Sequence, residues 1–273
     1  MHGKTMLVTG STDGLGKEVA LRLARDGARV LLHGRDAGKG EAVLAQIRAA
    51  VPGAKLEFYR ADLASLDEVR GLARDVLAGH PRLDVLVNNA GVALFGGREG
   101  RRESRDGHEL HFAVNYLAPF LLTLMLLPAL KAAAPSRIVN VSSLGQAAID
   151  FDDPMLTRGY SGERGYCQSK LAQILFTYDL AERLKGSGVT VTALHPATFM
   201  ATPMVVGAGF APRSSIDDGA APTVRLIASP EVEGQTGVFY NQAAPGRPDA
   251  QADDPEARRR LWALSEALTG ARL

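Results

Sequence analysis

One stretch near the N-terminus limits the folds open to this chain more than any other. A short apolar run, Met6 Leu7 Val8, passes at once into Thr9 Gly10 Ser11 Thr12 Asp13 Gly14 Leu15 Gly16 and then into a helical pattern at Val19, Ala20, Leu23 and Ala24. Strand, glycine turn and helix in that order present backbone N–H groups and a helix N-terminus to a pyrophosphate, and the glycines let the backbone approach it. The alternation then continues: strand Ala28 to Leu32, helix Gly38 to Ala50, strand Lys55 to Arg60, helix Leu66 to Leu77, strand Leu83 to Val87. Strands alternating with helices imply parallel βαβ units, so the expected fold is α/β with a doubly wound parallel sheet of about seven strands in three layers, helices on both faces.

Arg98 to Asp106 reads as a charged, solvated loop, and a long helix is expected from about Gly107 to Lys131, disturbed at Pro119 and Pro128. Arg137 to Val141 is the next strand, running into Ser142 Ser143. Residues 144–165 read as an irregular insertion before a helix that carries Tyr166 and continues to about Lys185. Val189 to Leu194 is a strand ending at His195 Pro196, residues 199–213 suit a mobile flap, and Asp217 to Ala228 is helical. Gly237 to Tyr240 is the last strand, Gln242 to Asp254 a surface loop, and Pro255 to Leu268 a terminal amphipathic helix with Trp262. Neither a repeat nor a long linker interrupts the pattern, so 1–273 is expected to be one domain.

Charge excludes several partners. Thirty-one basic against 30 acidic side chains leave a net charge of +1, which gives no bulk electrostatic case for nucleic acid or an anionic membrane. The partner is expected to be a small molecule. A single cysteine, Cys167, rules out an intrachain disulfide and makes the cytoplasm the default compartment. The first residues lack a signal-peptide pattern. The most membrane-like run, Leu117 to Leu130, is too short to span a bilayer and is interrupted by two prolines, so it reads as a buried helix.

In an open parallel sheet, ligands bind beyond the carboxyl ends of the strands at the switch in strand order. The Gly10 to Gly16 loop, Asp62 Leu63, Asn88 Asn89 Ala90 Gly91, Ser142 Ser143 and Pro196 all fall at such ends and are expected to converge on one crevice. Tyr166 and Lys170, four residues apart on a helix, stack on one face. A phenol ordinarily titrates near pH ~10, and a cation beside it favours the phenolate, which would make Tyr166 an acid or base poised nearer neutrality. Tyr160 is a weaker candidate, because Arg164 rather than lysine follows it by four. His195 has no second ligand spaced nearby, so it reads as structural and no metal is expected. Cys167 lies about 100° round the helix from Tyr166 and reads as a packed thiol.

Thr9-Gly10-x-x-x-Gly14-x-Gly16, Asn88-Asn89-Ala90-Gly91, Asn115, Ser143 and Tyr166-x-x-x-Lys170 together resemble the motif set of the short-chain dehydrogenase/reductase family, in the right order over nearly the whole chain. Ser136 to Ser143, Tyr166 to Ala172, Leu184 to Thr190 and His195 Pro196 are most similar to its retinol-dehydrogenase and WW-domain-oxidoreductase-like branch. The resemblance implies a Rossmann-type fold and an oxidoreductase that moves hydride between a nicotinamide cofactor and a carbonyl or a secondary or primary alcohol. It implies that Tyr166 gives or takes the proton on the substrate oxygen, and that Ser143, rather than Ser142, hydrogen-bonds that oxygen. Lys170 would bind the nicotinamide ribose and lower the pKa of Tyr166, while Asn115 holds a water leading to solvent. Cofactor contacts are expected from Gly10, Ser11, Thr12, Asp13, Gly14, Leu15, Gly16, Arg35, Asp62, Leu63, Asn89, Ala90, Gly91, Tyr166, Lys170, Pro196 and Thr198. At the end of the second strand the place of an NAD-preferring acid is taken by Gly34, and Arg35 can pair with a 2′-phosphate, so NADP is favoured, with NAD possible through Asp36.

Two departures stand out. Pro196 Ala197 Thr198 replaces the branch's Pro-Gly, which restricts the backbone near the nicotinamide amide. The apolar N-terminal segment of the membrane-anchored retinol enzymes is missing, which argues against a membrane-resident enzyme. The apolar Phe120 to Leu127 helix and the Leu175, Tyr178, Leu180 face suggest pairing with a second subunit, so a homodimer or homotetramer is expected, with a monomer as the alternative.

Overall fold

Strands β1 (Thr5–Val8), β2 (Arg29–Gly34), β3 (Lys55–Arg60), β4 (Val85–Asn88), β5 (Ser136–Val141), β6 (Val189–His195) and β7 (Val238–Asn241) run parallel, and a two-residue β8 (Ala244–Pro245) adds antiparallel to the far edge. The sheet order is β3-β2-β1-β4-β5-β6-β7-β8. The chain thus changes direction across the sheet between β1 and β4, and the switch in strand order opens a crevice at their carboxyl ends. The computed structural model describes residues 1–94 and 100–273. Residues 95–99, which include the start of the Arg98 to Asp106 loop expected from the sequence, lie outside the described residues.

Side-chain alternation along β1 shows why both faces must be covered. Leu7 joins Leu31 and Leu86 on one side, while Met6 and Val8 join Val30, Leu32, Val85 and Val87 on the other. The α-helices among the described residues are α1 (Gly14–Arg25), α2 (Ala37–Ala50), α3 (Leu66–Gly79), α4 (Ala118–Ala132), α5 (Gly162–Arg183), the short α6 (Pro203–Gly207), α7 (Ile216–Ala228) and α8 (Pro255–Thr269), and all but α6 supply the cover. Residues of α1, α2 and α7 pack on the Met6 face, and those of α3, α4, α5 and α8 on the Leu7 face. Their starts are set by side chains that accept the first free N–H groups: Asp36 from Lys39, Ser65 from Glu68, Ser161 from Arg164, and a reciprocal Ser215–Asp218 pair at α7.

The helix expected from Gly107 to Lys131 is not uniform. Phe112–Leu117 forms a π-helical turn that runs directly into α4. Pro119 has no N–H to give to the Asn115 carbonyl and its ring needs room there, and the turn widens over this point. Pro128 is accommodated inside α4. Phe112–Ala132 is long and apolar enough to cross a membrane, yet 89% of an apolar 18-residue run within it is buried inside the protein, as expected of a core helix.

The surface suggested for pairing with a second subunit differs from expectation. Phe120, Leu127, Leu175 and Leu180 are buried within the single chain. Trp262 of α8 meets Phe120 edge-on at 5.2 Å and Phe176 at 6.2 Å, and Arg183 stacks its guanidinium over the indole at 3.8 Å. Tyr116 and Ser265 hydroxyls pair at 2.6 Å beneath it. The chain's own C-terminal helix therefore covers apolar surface that a linear reading leaves open. The Gln242 to Asp254 segment is also more than a surface loop, since Gln251 exchanges two hydrogen bonds with the Ile149 backbone and Asp249 N–H donates to Gln146.

Candidate active site

The glycine turn is pinned from two sides. Thr9 Oγ1 donates to the Val87 carbonyl and accepts from the N–H groups of Asn89 and Ala90, both at 3.0 Å. Asn89 Nδ2 returns bonds to the Thr9 and Gly10 carbonyls. The ends of β1 and β4 are thereby fastened together at the switch in strand order. Gly10 has φ +61°, and a Cβ there would stand 2.8 Å from Ala90 Cα, so neither the turn nor the close approach admits a side chain.

From the other side, His33 at the end of β2 accepts the Gly10 N–H on Nδ1 at 3.2 Å and, through Nε2, donates to the Ala61 carbonyl at 3.2 Å. Burial holds its imidazole down at about 4, so it is neutral, in the tautomer these partners require. Ser11 is clipped to the same residue, its hydroxyl accepting from His33 N–H and its own N–H donating to His33 O.

Across the crevice, Ser142 Oγ donates to the Lys170 carbonyl at 2.7 Å and locks α5 to the end of β5. This leaves Ser143 as the serine that faces Tyr166, with which it shares a side-chain hydrogen bond. A Cβ on Gly145 would sit 3.5 Å from Ser143 Oγ, 3.6 Å from the Tyr166 ring and 3.4 Å from Cys167 Sγ, so these three groups converge. Lys170 Nζ stands 5.7 Å from the Tyr166 ring centroid. It donates to the Val141 carbonyl at 2.9 Å and to Gln173 Oε1 at 3.2 Å.

The electrostatics differ from the sequence expectation. Burial pushes the Tyr166 phenol up, with the Ser143 hydrogen bond pulling the other way. Burial brings the Lys170 amine down to about 7. The ammonium gives two of its three N–H groups to Val141 and Gln173, and burial is the largest influence on the phenol. Cys167 is half-buried beside Ser143, and burial raises its thiol.

A crevice of about 1150 Å³ joins these parts. It is lined by Gly10, Thr12, Asp13, Gly14, Leu15 and Gly16, by Arg35, Asp62 and Leu63, by Asn89, Ala90 and Gly91, and by Ser143, Tyr166, Lys170, Pro196 and Thr198. Two expected residues stand outside the lining. Ser11 is turned into the core by its bonds to His33. Asn115 lies beneath Gly91, its amide donating to the Val92 carbonyl and Ser169 Oγ and its oxygen accepting from Val92 N–H. These contacts use both side-chain amide hydrogens on protein partners, so the side chain braces the β4 loop. His195 Nε2 pairs with Thr198 Oγ1 at 3.1 Å, a strand-end contact of the kind expected.

Two residues in this architecture escaped the linear reading. His33 directly follows the expected strand Ala28 to Leu32, and its fit between Gly10 and Ala61 depends on three segments far apart in sequence. Gln173 sits three residues after Lys170, a spacing that helical geometry does place on the same face.

Comparisons with known proteins agree with this geometry. The model of the short chain dehydrogenase family matches residues 4–209. Retinol dehydrogenase 13 of Mus musculus is 41% identical over 285 residues, covering 98% of this chain and 84% of that protein. Polyprenol dehydrogenase of Mus musculus is 40% identical over 292 residues, again covering 98% and 84%. Among solved structures, an uncharacterised protein from Mycobacterium paratuberculosis superposes with a TM-score of 0.81 at 32% identity, over 99% of this chain and 95% of that one. A short chain dehydrogenase from Escherichia coli CFT073, solved with NADPH, superposes at 0.72 with 25% identity, over 89% and 97%. Taken with the glycine cradle and the Ser143, Tyr166, Lys170 cluster, these matches establish that the chain belongs to the short-chain dehydrogenase/reductase family, near its retinol dehydrogenases, and is an NAD(P)-linked oxidoreductase acting on CH–OH groups.

Proposed function

We propose that the protein is an NADP(H)-dependent, single-domain enzyme that interconverts an apolar aldehyde or ketone with its alcohol, using Tyr166 as general acid and base. The observation that carries this is the Ser143–Tyr166 hydrogen bond with Lys170 one turn further along α5, all opening on the glycine cradle. The residues fit a dinucleotide. The Gly10 turn leaves no side chain between cradle and crevice, and both Arg35 and Lys170 line that one crevice.

When bound, the nicotinamide supplies or accepts the hydride. Ser143 and Tyr166 hold the substrate oxygen between two hydroxyls. In reduction Tyr166 gives its proton to that oxygen, and in oxidation it takes the proton back. Lys170, with a third N–H beyond those given to Val141 and Gln173, binds the ribose and offsets charge on the phenolate. Asn115 supports the site by holding Val92, and so the wall next to Gly91.

Three features support NADP. A Cβ at position 34 would lie 2.6 Å from Thr12 Cγ2, so an acidic side chain at the end of β2 has no room unless Thr12 moves. Asp36 is committed to capping α2, where its Oδ1 accepts the Lys39 N–H at 3.0 Å. Arg35 is exposed and lines the crevice with Lys39, two cations beside a helix N-terminus. The substrate end is lined by Leu144, Phe199, Met204, Val205 and Phe210, and the names of the relatives denote long apolar alcohols. Burial of Phe120, Leu175 and Leu180 under α8 supports a monomer as the working unit. The lone free thiol suits a reducing compartment such as the cytoplasm.

A panel of aldehydes with progressively longer apolar tails, assayed with NADPH and NADH, tests the reading. We expect kcat/KM to rise with tail length and NADPH to be the better donor. Tight NADPH binding without turnover of any carbonyl or alcohol would instead favour a dinucleotide sensor.

A further inference from the structure

Behind Tyr166 the core contains a row of polar groups that neither packing nor the proton transfer calls for. Lys170, Gln173 and Thr177 continue the Tyr166 face of α5 at helical spacing, and all three are buried. Thr177 Oγ1 donates to the Gln173 carbonyl at 2.7 Å and accepts from Asn140 Nδ2 at 2.9 Å, and Asn88 Nδ2 donates to Asn140 Oδ1 at 2.8 Å. Asn88 and Asn140 are register partners on β4 and β5. An uncharged ladder therefore runs from the amine of Lys170 into the middle of the sheet. Buried polar groups of this kind are costly unless matched.

Gln173 is the rung whose presence most needs a reason. It is 1% exposed, and its Nε2 has no hydrogen-bond partner among the described residues. An apolar side chain of similar volume would fill the space without that unmatched donor. The bond Gln173 does make is Oε1 to Lys170 Nζ. Turning the amide over would bring Nε2 against an ammonium that can only donate, so Lys170 dictates the orientation.

We infer that Gln173 is a positioning residue for Lys170. With the Val141 carbonyl, its Oε1 takes two of the three ammonium N–H bonds, so the buried cation stays satisfied while the third N–H is left to the crevice. The direction is consistent with the surroundings, since a Cβ at Gly91 would lie 3.6 Å from Nζ, and Lys170 lines the crevice. The titratable group facing the amine is the Tyr166 phenol on the same helix. The neighbouring elements bring uncharged groups: the Val141 carbonyl and Ser142 from β5 and its end, Gly91 from the β4 loop, and Asn115 from the π turn. Burial already lowers the amine to about 7. Loss of one of its two acceptors lowers it further, because the charged form loses more than the neutral form.

This inference rests on the assignment of Lys170 to cofactor binding, and the test separates the two. NADPH affinity of the whole protein is measured by fluorescence titration across neutral and alkaline pH for wild type, Gln173→Met, Gln173→Glu and Lys170→Ala. We expect the pH at which affinity is lost to fall by about one unit or more in Gln173→Met and to rise in Gln173→Glu, which keeps the acceptor and adds charge. A role in packing alone would change thermal stability and leave these midpoints in place, and unmoved midpoints in either variant overturn the inference. Should Gln173→Met fail to fold, Gln173→Glu decides alone. A Lys170→Ala variant that binds NADPH as tightly as wild type overturns the Lys170 assignment itself, whereas a clear Lys170→Ala defect with unmoved Gln173 midpoints overturns only the inference.

Discussion

The two walls of the crevice are built on opposite principles. On the cofactor side, buried side chains hold the backbone: Thr9, Asn89 and His33 join β1, β2 and β4 through side-chain hydrogen bonds to main-chain groups distant in sequence. On the substrate side, α6 buries none of its residues, and Met204, Val206 and Phe210 expose apolar surface. That lobe closes on itself instead. Phe199 O accepts the Arg213 N–H at 2.8 Å, Ala201 N–H donates to Ser214 O, and the Phe199 and Phe210 rings stack at 4.9 Å. Phe199 holds φ +46°, an unfavourable value for an aromatic residue that costs on the order of 1–3 kcal/mol and must be maintained by its surroundings. Under the proposed function the contrast has a reason: a constant cofactor calls for a preset backbone, while an apolar substrate calls for surface that is easily altered.

The sharpest way to break this division is Tyr166→Phe. It removes a proton donor and keeps the ring, so turnover should fall by ~10² to 10⁴ while NADPH affinity stays within a few-fold. Retention of more than about a tenth of wild-type kcat, with chemistry limiting, would mean that the two walls do not meet at Tyr166.

Acid pH probes the cofactor wall next. His33 is held at about 4 in the folded protein against an ordinary value near ~6.5, so between these pH values the unfolded chain binds more protons. Stability from this group is therefore present above about pH 6.5 and lost as pH falls towards 4, by at most roughly 3 kcal/mol. His195, also lowered to about 4, adds to the same window. Gln in place of His33 can keep one donor and one acceptor without titrating, so urea midpoints for His33→Gln should fall less on acidification than those of wild type. Equal acid slopes would remove His33 as the strut of the glycine turn.

Cofactor selection is a smaller effect on the same wall. A hydrogen bond to a charged group contributes about 1.5–3 kcal/mol, so NADPH should bind roughly 10- to 100-fold more tightly than NADH, and Arg35→Ala should erase most of that difference. Titration of both cofactors against both proteins checks it. The least effect is expected at the rim, where exchanging the exposed crevice residue Met204→Ser should leave thermal stability within about 0.5 kcal/mol of wild type and raise KM for long-tailed substrates. A loss of several kcal/mol there would show that the substrate wall is packed as firmly as the cofactor wall.

Local patterns made much of this legible in advance. The glycine turn, the alternating strands and helices and the Tyr166–Lys170 spacing each lie within a few residues, and each has a direct geometric meaning. Distant contacts were not readable in that way. The insertion at 144–165 has no periodicity, yet Asp153 organises it by accepting from Thr157 and Arg158 N–H groups, and Arg101 reaches the Met155 carbonyl. Nothing in the linear order of α4 and α5 discloses that Trp262 covers them. A helical wheel places Lys170 next to Tyr166, but it does not count the acceptors that compete for the amine.

The sequence by itself determined the doubly wound sheet, the position of the glycine turn at the switch in strand order and the spacing that sets Tyr166 and Lys170 on one helix, because strand and helix periods and glycine's freedom act locally. Tertiary structure alone decided that Ser11 turns into the core, that Asn115 braces Val92, that α8 occupies the apolar face of α4 and α5, and that the Lys170 amine rests on Val141 and Gln173. Each of those outcomes depends on burial and on competition among partners tens of residues apart, quantities that exist only once the chain has packed.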